Sequence, residues 1–364
     1  MYICRDCGSL FSAPEYTKSK KYVCPDCGSK NFTDAEYCKT CHSYFIPDGY
    51  EEYCPECVER AEEQLREAML QKVDNDFIEL LRAVYDDLDY IMGDVKIKAA
   101  DTDKISVKET ANISLKDPQK VHTWVNEGTL YVRFCASLKI ANFHGIEKSL
   151  ELTIPDDLDL NDTVIQMSSG DLDASGLKSV KLKAHSSSGN VGIDCESADI
   201  ELKASSGKII LNQKGDSDSI VLKASSGSIT LTQDGSSKSI DIHSSSGDVT
   251  ADVDTVSKLG IAVSSGNITV DANEIAELDS KASSGHNEFR FNVVPKTSTI
   301  KSSSGYVKVF MPENSDVTVH TKISSGEFNS DLAFSKNGKD YTCGGGTSTM
   351  DIRVSSGNVD ICKK

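Results

Sequence analysis

The repeat that decides the fold is clearest at residues 202–211 and 222–231, which read LKASSGKIIL and LKASSGSITL. The tripeptide Ser-Ser-Gly occurs ten times, and its successive glycines are 19, 18, 20, 20, 19, 19, 20, 21 and 31 residues apart. A period of about 20 residues, kept over so many copies, is typical of a stacked repeat architecture. The glycines are Gly170, Gly189, Gly207, Gly227, Gly247, Gly266, Gly285, Gly305, Gly326 and Gly357.

Apolar and polar residues alternate on both sides of each Ser-Ser-Gly. The position two residues after the glycine is apolar in nine of the ten copies, and so is the position four residues after it. This period of two predicts strands that bury one face, and about 20 residues is too short for a βαβ unit. We therefore predict a mainly β fold, a single-stranded β-solenoid (β-helix) with coils of about 20 residues and corners formed by serine and glycine.

From about Val95 to the C-terminus the chain resembles the bacterial β-helical "putative adhesin" domain, a domain of unknown function. The resemblance rests on the Ser-Ser-Gly-x-[Ile/Val] units, on the lead-in LELTIP at residues 150–155, and on the glycine-bearing insertion with Gly338 and residues 344–346. Related domains occur in Gram-positive cell-envelope stress proteins. The resemblance implies a link to envelope stress or adhesion, and it supplies no catalytic residues.

Eight of the twelve cysteines form four Cys-x-x-Cys pairs within the first 57 residues: Cys4/Cys7, Cys24/Cys27, Cys38/Cys41 and Cys54/Cys57. The two thiolates of such a pair can bind one tetrahedral ion, so four pairs predict a double zinc ribbon with two structural Zn²⁺ ions. We expect the first two pairs to share one ion and the last two the other, and a cross-braced pairing stays open. Disulfides and a redox role fit less well, because neither a secretory signal nor a βαβ scaffold is visible.

Residues 58–93 change to a helical pattern. Apolar residues recur every three or four positions between Val58 and Ile91, which predicts an acidic amphipathic helix or two helices. Such a segment either caps the open end of the solenoid or binds a partner as a coiled coil does. The predicted domains are a double zinc ribbon at 1–57, this linker or cap at 58–93, and the solenoid at 94–364. Residues 94–155 are expected to form irregular first coils, with hairpins near residues 126–128 and 337–338.

Outward positions of the predicted coils should stack as well. The residue four positions before each glycine is Lys, Arg or His in eight of the ten copies. On an acidic chain, one cation in each coil suggests a surface that follows an anionic polymer. Neutralisation by nearby acids, such as Glu201 and Asp279, is the alternative explanation. We call this file the basic column; its cations are Lys203, Lys223, Lys281, Lys301, Lys322 and Arg353, together with His185 and His243.

Charge and length narrow the classes of function. The formal net charge is −17, which disfavours nucleic-acid binding, even through the basic run at Lys18, Lys20 and Lys21 between the first two cysteine pairs. No apolar run is long enough to span a bilayer, and the N-terminus shows no signal region. We therefore expect a cytoplasmic protein, and we leave open an association with the envelope that uses no signal peptide.

The near-identical repeats contain no distinguished catalytic constellation. We predict a non-enzymatic scaffold whose zinc ribbon docks a protein partner and whose solenoid presents a binding surface. A carbohydrate-active β-helix enzyme and nucleic-acid binding through the ribbons are the alternatives. An enzyme site should interrupt the repeat locally, and the one large interruption is the 31-residue step between Gly326 and Gly357.

Overall fold

The computed structural model describes residues 1–18, 21–47, 53–55, 57–58, 81–82, 93–135 and 146–364. The chain divides into two compact units. The first combines residues 1–78 with 113–145, and the second combines residues 79–112 with 146–364. In the described part of the chain, no helix has the length and apolar character needed to cross a bilayer.

Short strands around the cysteine pairs build the N-terminal part of the first unit. β1 lies between β2 and β5, antiparallel to both, while β3 pairs with β4 and β6 pairs with β7. The apolar clusters are small: Phe11 packs with Cys4 and Cys24, and Phe45 packs with other cysteines. Such clusters are too small to stabilise a fold without cross-links. The strands are β1 (Tyr2–Cys4), β2 (Leu10–Phe11), β3 (Glu15–Tyr16), β4 (Tyr22–Val23), β5 (Phe32–Asp34), β6 (Glu36–Tyr37) and β7 (Tyr44–Phe45).

The predicted hairpin near residues 126–128 is present. Its strands pair Trp124 with Tyr131, and their rings stack with centroids 4.9 Å apart. Glu127 and Gly128 both have positive φ, as a two-residue hairpin turn requires. The structure groups this hairpin with the first unit, although we expected it in the first coils, because its strands pair with each other and follow no coil register. The segment contains β8 (Leu81–Arg82), β9 (Val95–Ala100), β10 (Ser106–Ala111), a 3-10 turn (Asp117–Gln119), β11 (His122–Asn126) and β12 (Thr129–Arg133).

The predicted helix at 58–93 lies almost entirely outside the described residues. At Leu81 and Arg82 the structure has the strand β8 instead, which pairs in parallel with Thr163 and Val164. For these two residues the helix prediction is wrong, because pairing with the open backbone of a neighbouring strand overrides the helical preference of Leu and Arg.

The second unit is the predicted β-solenoid. In the coil of Gly207, a short strand follows the glycine, the chain turns at Gly215, and a longer strand leads to the next Ser-Ser-Gly. The coils next to it run as continuous strands from one Ser-Ser-Gly to the next. Equivalent residues of successive coils pair in parallel, as Ile209 does with Ile229. The strands are β13 (Lys148–Pro155), β14 (Leu160–Met167), β15 (Leu172–Ser188), β16 (Val191–Ser206), β17 (Ile209–Gln213), β18 (Ser217–Ser226), β19 (Ile229–Ser246), β20 (Val249–Ser265), β21 (Ile268–Phe291), β22 (Thr297–Met311), β23 (Val317–Ser325), β24 (Phe328–Ser330), β25 (Ser335–Asn337), β26 (Asp340–Cys343), β27 (Ser348–Ser356) and β28 (Val359–Lys363).

The core is a continuous apolar interior between the two strands of each coil. Ile209, Leu211, Ile220 and Leu222 are fully buried, and the same positions are buried in the coils on either side. Cys195, which lies outside the four cysteine pairs, is also buried, and burial raises the pKa of its thiol to about 12. The alternation of apolar and polar residues therefore determines which side of each strand faces the interior.

The first coil begins before the first Ser-Ser-Gly. A Cβ atom added to Gly170 would lie 1.9 Å from the carbonyl oxygen of Gly93, so Gly93 occupies the corner below it. The strand that follows, β9, pairs in parallel with β15 on one side and with β13 on the other. The sequence signal for this coil is the Gly-x-Val-x-Ile pattern from Gly93 to Ile97, which a search for the full tripeptide overlooks.

The order of the last two coils is reversed in space. β27 and β28 insert between the coil of Gly305 and the coil of Gly326, so that Val359 pairs with Val307 on one side and with Phe328 on the other. The predicted second hairpin is present as β25 and β26, with Asn337 opposite Asp340. β26 runs antiparallel to β23 and covers its outer edge. The 31-residue step is therefore an excursion that caps the solenoid before the chain returns.

Candidate metal centres and binding face

Each cysteine tetrad lies within one ribbon. The sulfur atoms of Cys4, Cys7, Cys24 and Cys27 all lie within 4.8 Å of one another, and those of Cys38, Cys41, Cys54 and Cys57 do the same. The grouping follows the chain order, first pair with second and third pair with fourth. The cross-braced alternative would need groupings that differ from those in the structure.

The donor sets fit zinc. A tetrahedral ion with four Zn–S bonds of about 2.3 Å requires sulfur atoms about 3.8 Å apart. The Sγ atoms of Cys4 and Cys27 are 3.6 Å apart, and those of Cys7 and Cys24 are 3.8 Å apart. In the second ribbon, Cys41 and Cys54 have Sγ atoms 3.6 Å apart. All-sulfur donor sets of this size are typical of closed structural zinc sites, in which no coordination position is left for a substrate.

Tight backbone turns place the paired thiols. The N–H of Gly8 donates to the carbonyl of Cys4 at 2.8 Å, and the N–H of Gly28 donates to that of Cys24 at 2.9 Å. Both glycines have φ near +75°, at 75° and 73°. The third pair uses the same turn, but its left-handed residue is His42, with φ 59°. His42 is exposed, and its role in this turn is conformational.

The fourth pair differs from the other three. The N–H groups of Cys57 and Val58 both donate to the carbonyl of Cys54, at 3.0 and 3.1 Å, which is the pattern of a helical turn. Helical spacing places residues i and i+3 on one side of the backbone, so the two thiols still point to the same ion.

A carboxylate joins the two turns of the first ribbon. Ser29 donates to Asp6 Oδ2 at 2.5 Å, and the amide of Asn31 donates to Oδ1 at 2.8 Å. These hydrogen bonds hold the pKa of Asp6 below its usual value. These polar contacts, as well as the thiols, therefore fix the turn that carries Cys24 and Cys27 relative to the turn that carries Cys4 and Cys7.

The basic column forms a continuous file on the outside of the solenoid. Its members lie side by side on neighbouring strands, as the repeat predicts, and only the last two exchange places. The order in space is Gln166, His185, Lys203, Lys223, His243, Ala262, Lys281, Lys301, Arg353 and Lys322.

Some cations of the basic column have an acidic partner two residues earlier on the same strand. Lys203 contacts Glu201 at 2.5 Å, and Lys281 contacts Asp279 at 2.7 Å. The hydrogen bond from Lys203 holds the pKa of Glu201 below its usual value. His243 lies 2.9 Å from Asp241. Local neutralisation, the alternative that we considered, therefore applies to these three positions.

The remaining cations are not neutralised in this way. In the described residues, Lys223, Lys301, Lys322 and Arg353 form no ion pair. The residue two positions before Lys223 is Val221, and that before Lys301 is Thr299. The unpaired Lys223 lies between the paired Lys203 and His243, whereas Lys301, Arg353 and Lys322 are adjacent and all unpaired.

Comparisons with known proteins place the repeat region in a family. A family model described as Toastrack DUF4097 matches residues 87–197 and 193–362. No curated protein matches the chain. A crystal structure of a "putative cell adhesion protein" from Clostridium sporogenes ATCC 15579 is 12% identical, and the alignment covers 81% of this chain and 97% of that chain with a TM-score of 0.21. Because the two family matches span more than half of its length, the chain belongs to the Toastrack DUF4097 family, a family of unknown function.

Proposed function

We propose that this protein is a non-enzymatic interaction protein, in which two zinc-stabilised ribbons dock a protein partner and the solenoid presents a second binding face. The observation that carries the proposal is the presence, in one chain, of two four-sulfur clusters and a solenoid of uniform coils. When bound, zinc would cross-link each ribbon, whose small apolar cluster needs that support. We propose a cytoplasmic location, because the eight cysteines of the two clusters must stay reduced to bind zinc.

Exposed tyrosine pairs support the docking role of the ribbons. Tyr16 and Tyr22 are 57% and 60% exposed, with ring centroids 4.9 Å apart. Tyr37 and Tyr44 form a second exposed pair, with centroids 5.2 Å apart. Tyrosine is enriched in protein interfaces because its ring provides a large contact area at a low cost in side-chain entropy.

The uniformity of the coils argues against a catalytic role. The interruption after Gly326, where an enzyme site was expected if one exists, forms a cap: β26 covers β23, and His320 Nδ1 lies 2.7 Å from Asp340 Oδ1 across that pair.

Zinc content and partner capture test the proposal on the full-length protein. We expect two zinc equivalents in the wild type and one in each of the variants Cys24→Ser and Cys54→Ser. The double variant Tyr16→Thr/Tyr22→Thr should keep both ions but lose a protein that the wild type captures from extracts of its own cell. Fewer than two equivalents in the wild type, or capture that no ribbon variant changes, would contradict the proposal.

A further inference from the structure

A groove of about 630 Å³ runs along the outer face of the solenoid. One side is the basic column, and the other is the file of exposed serines two residues before each glycine, such as Ser205, Ser225 and Ser245. The two files are parallel because alternate residues of a strand face the same way. We call this feature the Ser-Lys groove.

Unpaired cations are concentrated at one end of this face. Lys301, Arg353 and Lys322 occupy three consecutive strands, because the C-terminal coil inserts between the other two. Neighbouring strands lie about 4.8 Å apart, and like charges directly opposite each other destabilise a sheet. An anion bound along the three cations would remove this repulsion.

The properties of the groove select among polyanions. Single-stranded nucleic acid carries one charge for about every 3.4 Å and gains affinity from stacking on aromatic rings. The groove is lined by Lys, His, Ser, Ala and Val, so it offers no Phe, Tyr or Trp for stacking. A carboxylated polymer with many hydroxyl groups suits the groove better, since serine both donates and accepts hydrogen bonds and no aromatic stacking is needed.

We propose that the Ser-Lys groove binds a linear acidic polysaccharide that carries carboxylate groups. This inference rests on the proposed function, in which the solenoid presents a binding face. Lys223 and Lys301 line the groove, and Arg353 and Lys322 continue the basic column on the two strands beyond its last lining residues. These four cations pair with the carboxylates, and the serine file bonds the sugar hydroxyls. The binding is non-covalent, and no bond of the polymer is broken.

The test uses the full-length protein with polygalacturonate as the probe, and with neutral dextran and single-stranded DNA for comparison. We expect the wild type to bind polygalacturonate with an affinity that falls as salt rises, and to leave dextran unbound. The variant Lys301→Gln/Lys322→Gln/Arg353→Gln should bind at least about tenfold more weakly. The control Lys104→Gln/Lys258→Gln/Lys339→Gln removes the same charge from exposed sites outside the groove and should bind as the wild type does.

Three results would overturn the inference. They are no binding of polygalacturonate by the wild type, an equal loss in the control variant, or tighter binding of single-stranded DNA through the same three cations. The groove variant should still hold two zinc equivalents and capture the partner of the ribbons. If the wild type captures the partner of the ribbons but does not bind polygalacturonate, only the inference about the groove is contradicted. If the wild type captures no partner, the proposed function is contradicted independently of the groove.

Discussion

At the scale of single residues, the backbone of one coil touches the backbone of the next at every Ser-Ser-Gly corner. Gly227 has φ 137°, and a Cβ atom there would lie 1.9 Å from the carbonyl oxygen of Gly207. Both the conformation and the close approach therefore require glycine. The regular spacing of these glycines along the chain reflects a contact that repeats along the axis of the solenoid.

Substituting one corner glycine should destabilise the solenoid strongly. We expect Gly227→Ala to lower the free energy of unfolding by at least about 2 kcal/mol, because strain and a clash with backbone add together. Gly192→Ala is the matched control, since its Cβ would lie 3.5 Å from the carbonyl oxygen of Leu172, an ordinary contact. Urea unfolding of both variants measures the difference, and equal stabilities would show that the corners are not in contact.

His42 is the residue that departs from the glycine pattern of the ribbon turns. We expect His42→Gly to slow the loss of zinc to EDTA, because glycine avoids a left-handed strain of about 1 kcal/mol. Gly28→Ala should do the opposite in the first ribbon, where the space around the added Cβ is open and only the backbone is strained. Faster zinc loss from the His42→Gly variant would contradict this assignment of the turn.

At the scale of elements, side chains bind the backbone of the neighbouring coil just after the corner. Asp171 Oδ1 accepts from the N–H of Asn190 at 2.7 Å, and Asp248 Oδ1 accepts from that of Asn267 at 2.8 Å. Asn358 does the same for Glu327 at 3.0 Å, which follows the order of the coils in space and not in sequence. These contacts satisfy backbone donors where the chain leaves the strand ladder.

A related contact holds the connection that returns the chain to the inserted coil. Asp316 accepts from the N–H of Thr347 at 3.1 Å, and this bond, with further ones from Gly346 and Gly345, lowers the pKa of its carboxyl from 3.8. A lowered folded-state pKa contributes stability above the unfolded-state value, and that stability is lost as pH falls through the folded-state pKa.

The pH dependence of unfolding tests whether the charge of Asp316 stabilises this connection. We expect Asp316→Asn to lower the urea midpoint at pH 7. The difference from wild type should shrink as pH falls from about 4 through the lowered folded-state pKa, where the wild-type carboxylate takes up a proton. Asp157→Asn, in an exposed turn, serves as the control and should match the wild type at both pH values. A difference that stays constant down to pH 2 would rule out a role for the charge.

At the scale of the whole solenoid, both ends are covered by antiparallel strands. β10 lies against β13 near the N-terminal end, and β26 lies against β23 at the C-terminal end. Covered edges prevent the open strands from pairing with another molecule. At the C-terminal end the outermost coil is that of Gly326, and the last strands of the chain, β27 and β28, insert between it and the coil of Gly305. This arrangement leaves the edge of β23 for β26 to cover.

Cross-linking tests the reversed order of the last coils. Phe310 pairs with Cys362, and neighbouring strands about 4.8 Å apart are within reach of a disulfide. We expect Phe310→Cys to cross-link to Cys362 under mild oxidation, as peptide mass spectrometry would show. In the variant Phe310→Cys/Asp331→Cys/Cys362→Ser the two thiols are separated by the inserted strand and should stay free. The reverse result would mean that the coils stack in sequence order.

The sequence by itself determined the coil and the four cysteine pairs, and the structure decided how the pairs combine into two tetrads. The alternation around Ser-Ser-Gly decides which residues are buried within each coil, and the Cys-x-x-Cys spacing decides which thiols point the same way, so both are local properties. The Asp and Asn side chains that bind the backbone of the neighbouring coil, and the corner at Gly93, leave only a weak pattern in the local sequence. For that reason the repeat pattern alone did not reveal them.

Only the tertiary structure decided the order of the last two coils. Parallel strands pair through backbone groups, and the coils of Gly326 and Gly357 carry the same alternation, so either could follow the coil of Gly305. The choice depends on long-range features: the cap formed by β25 and β26, and the Asp316 contact that fixes the returning chain. That choice also places Arg353 between Lys301 and Lys322, because a side chain's neighbours across a sheet depend on which strands pair.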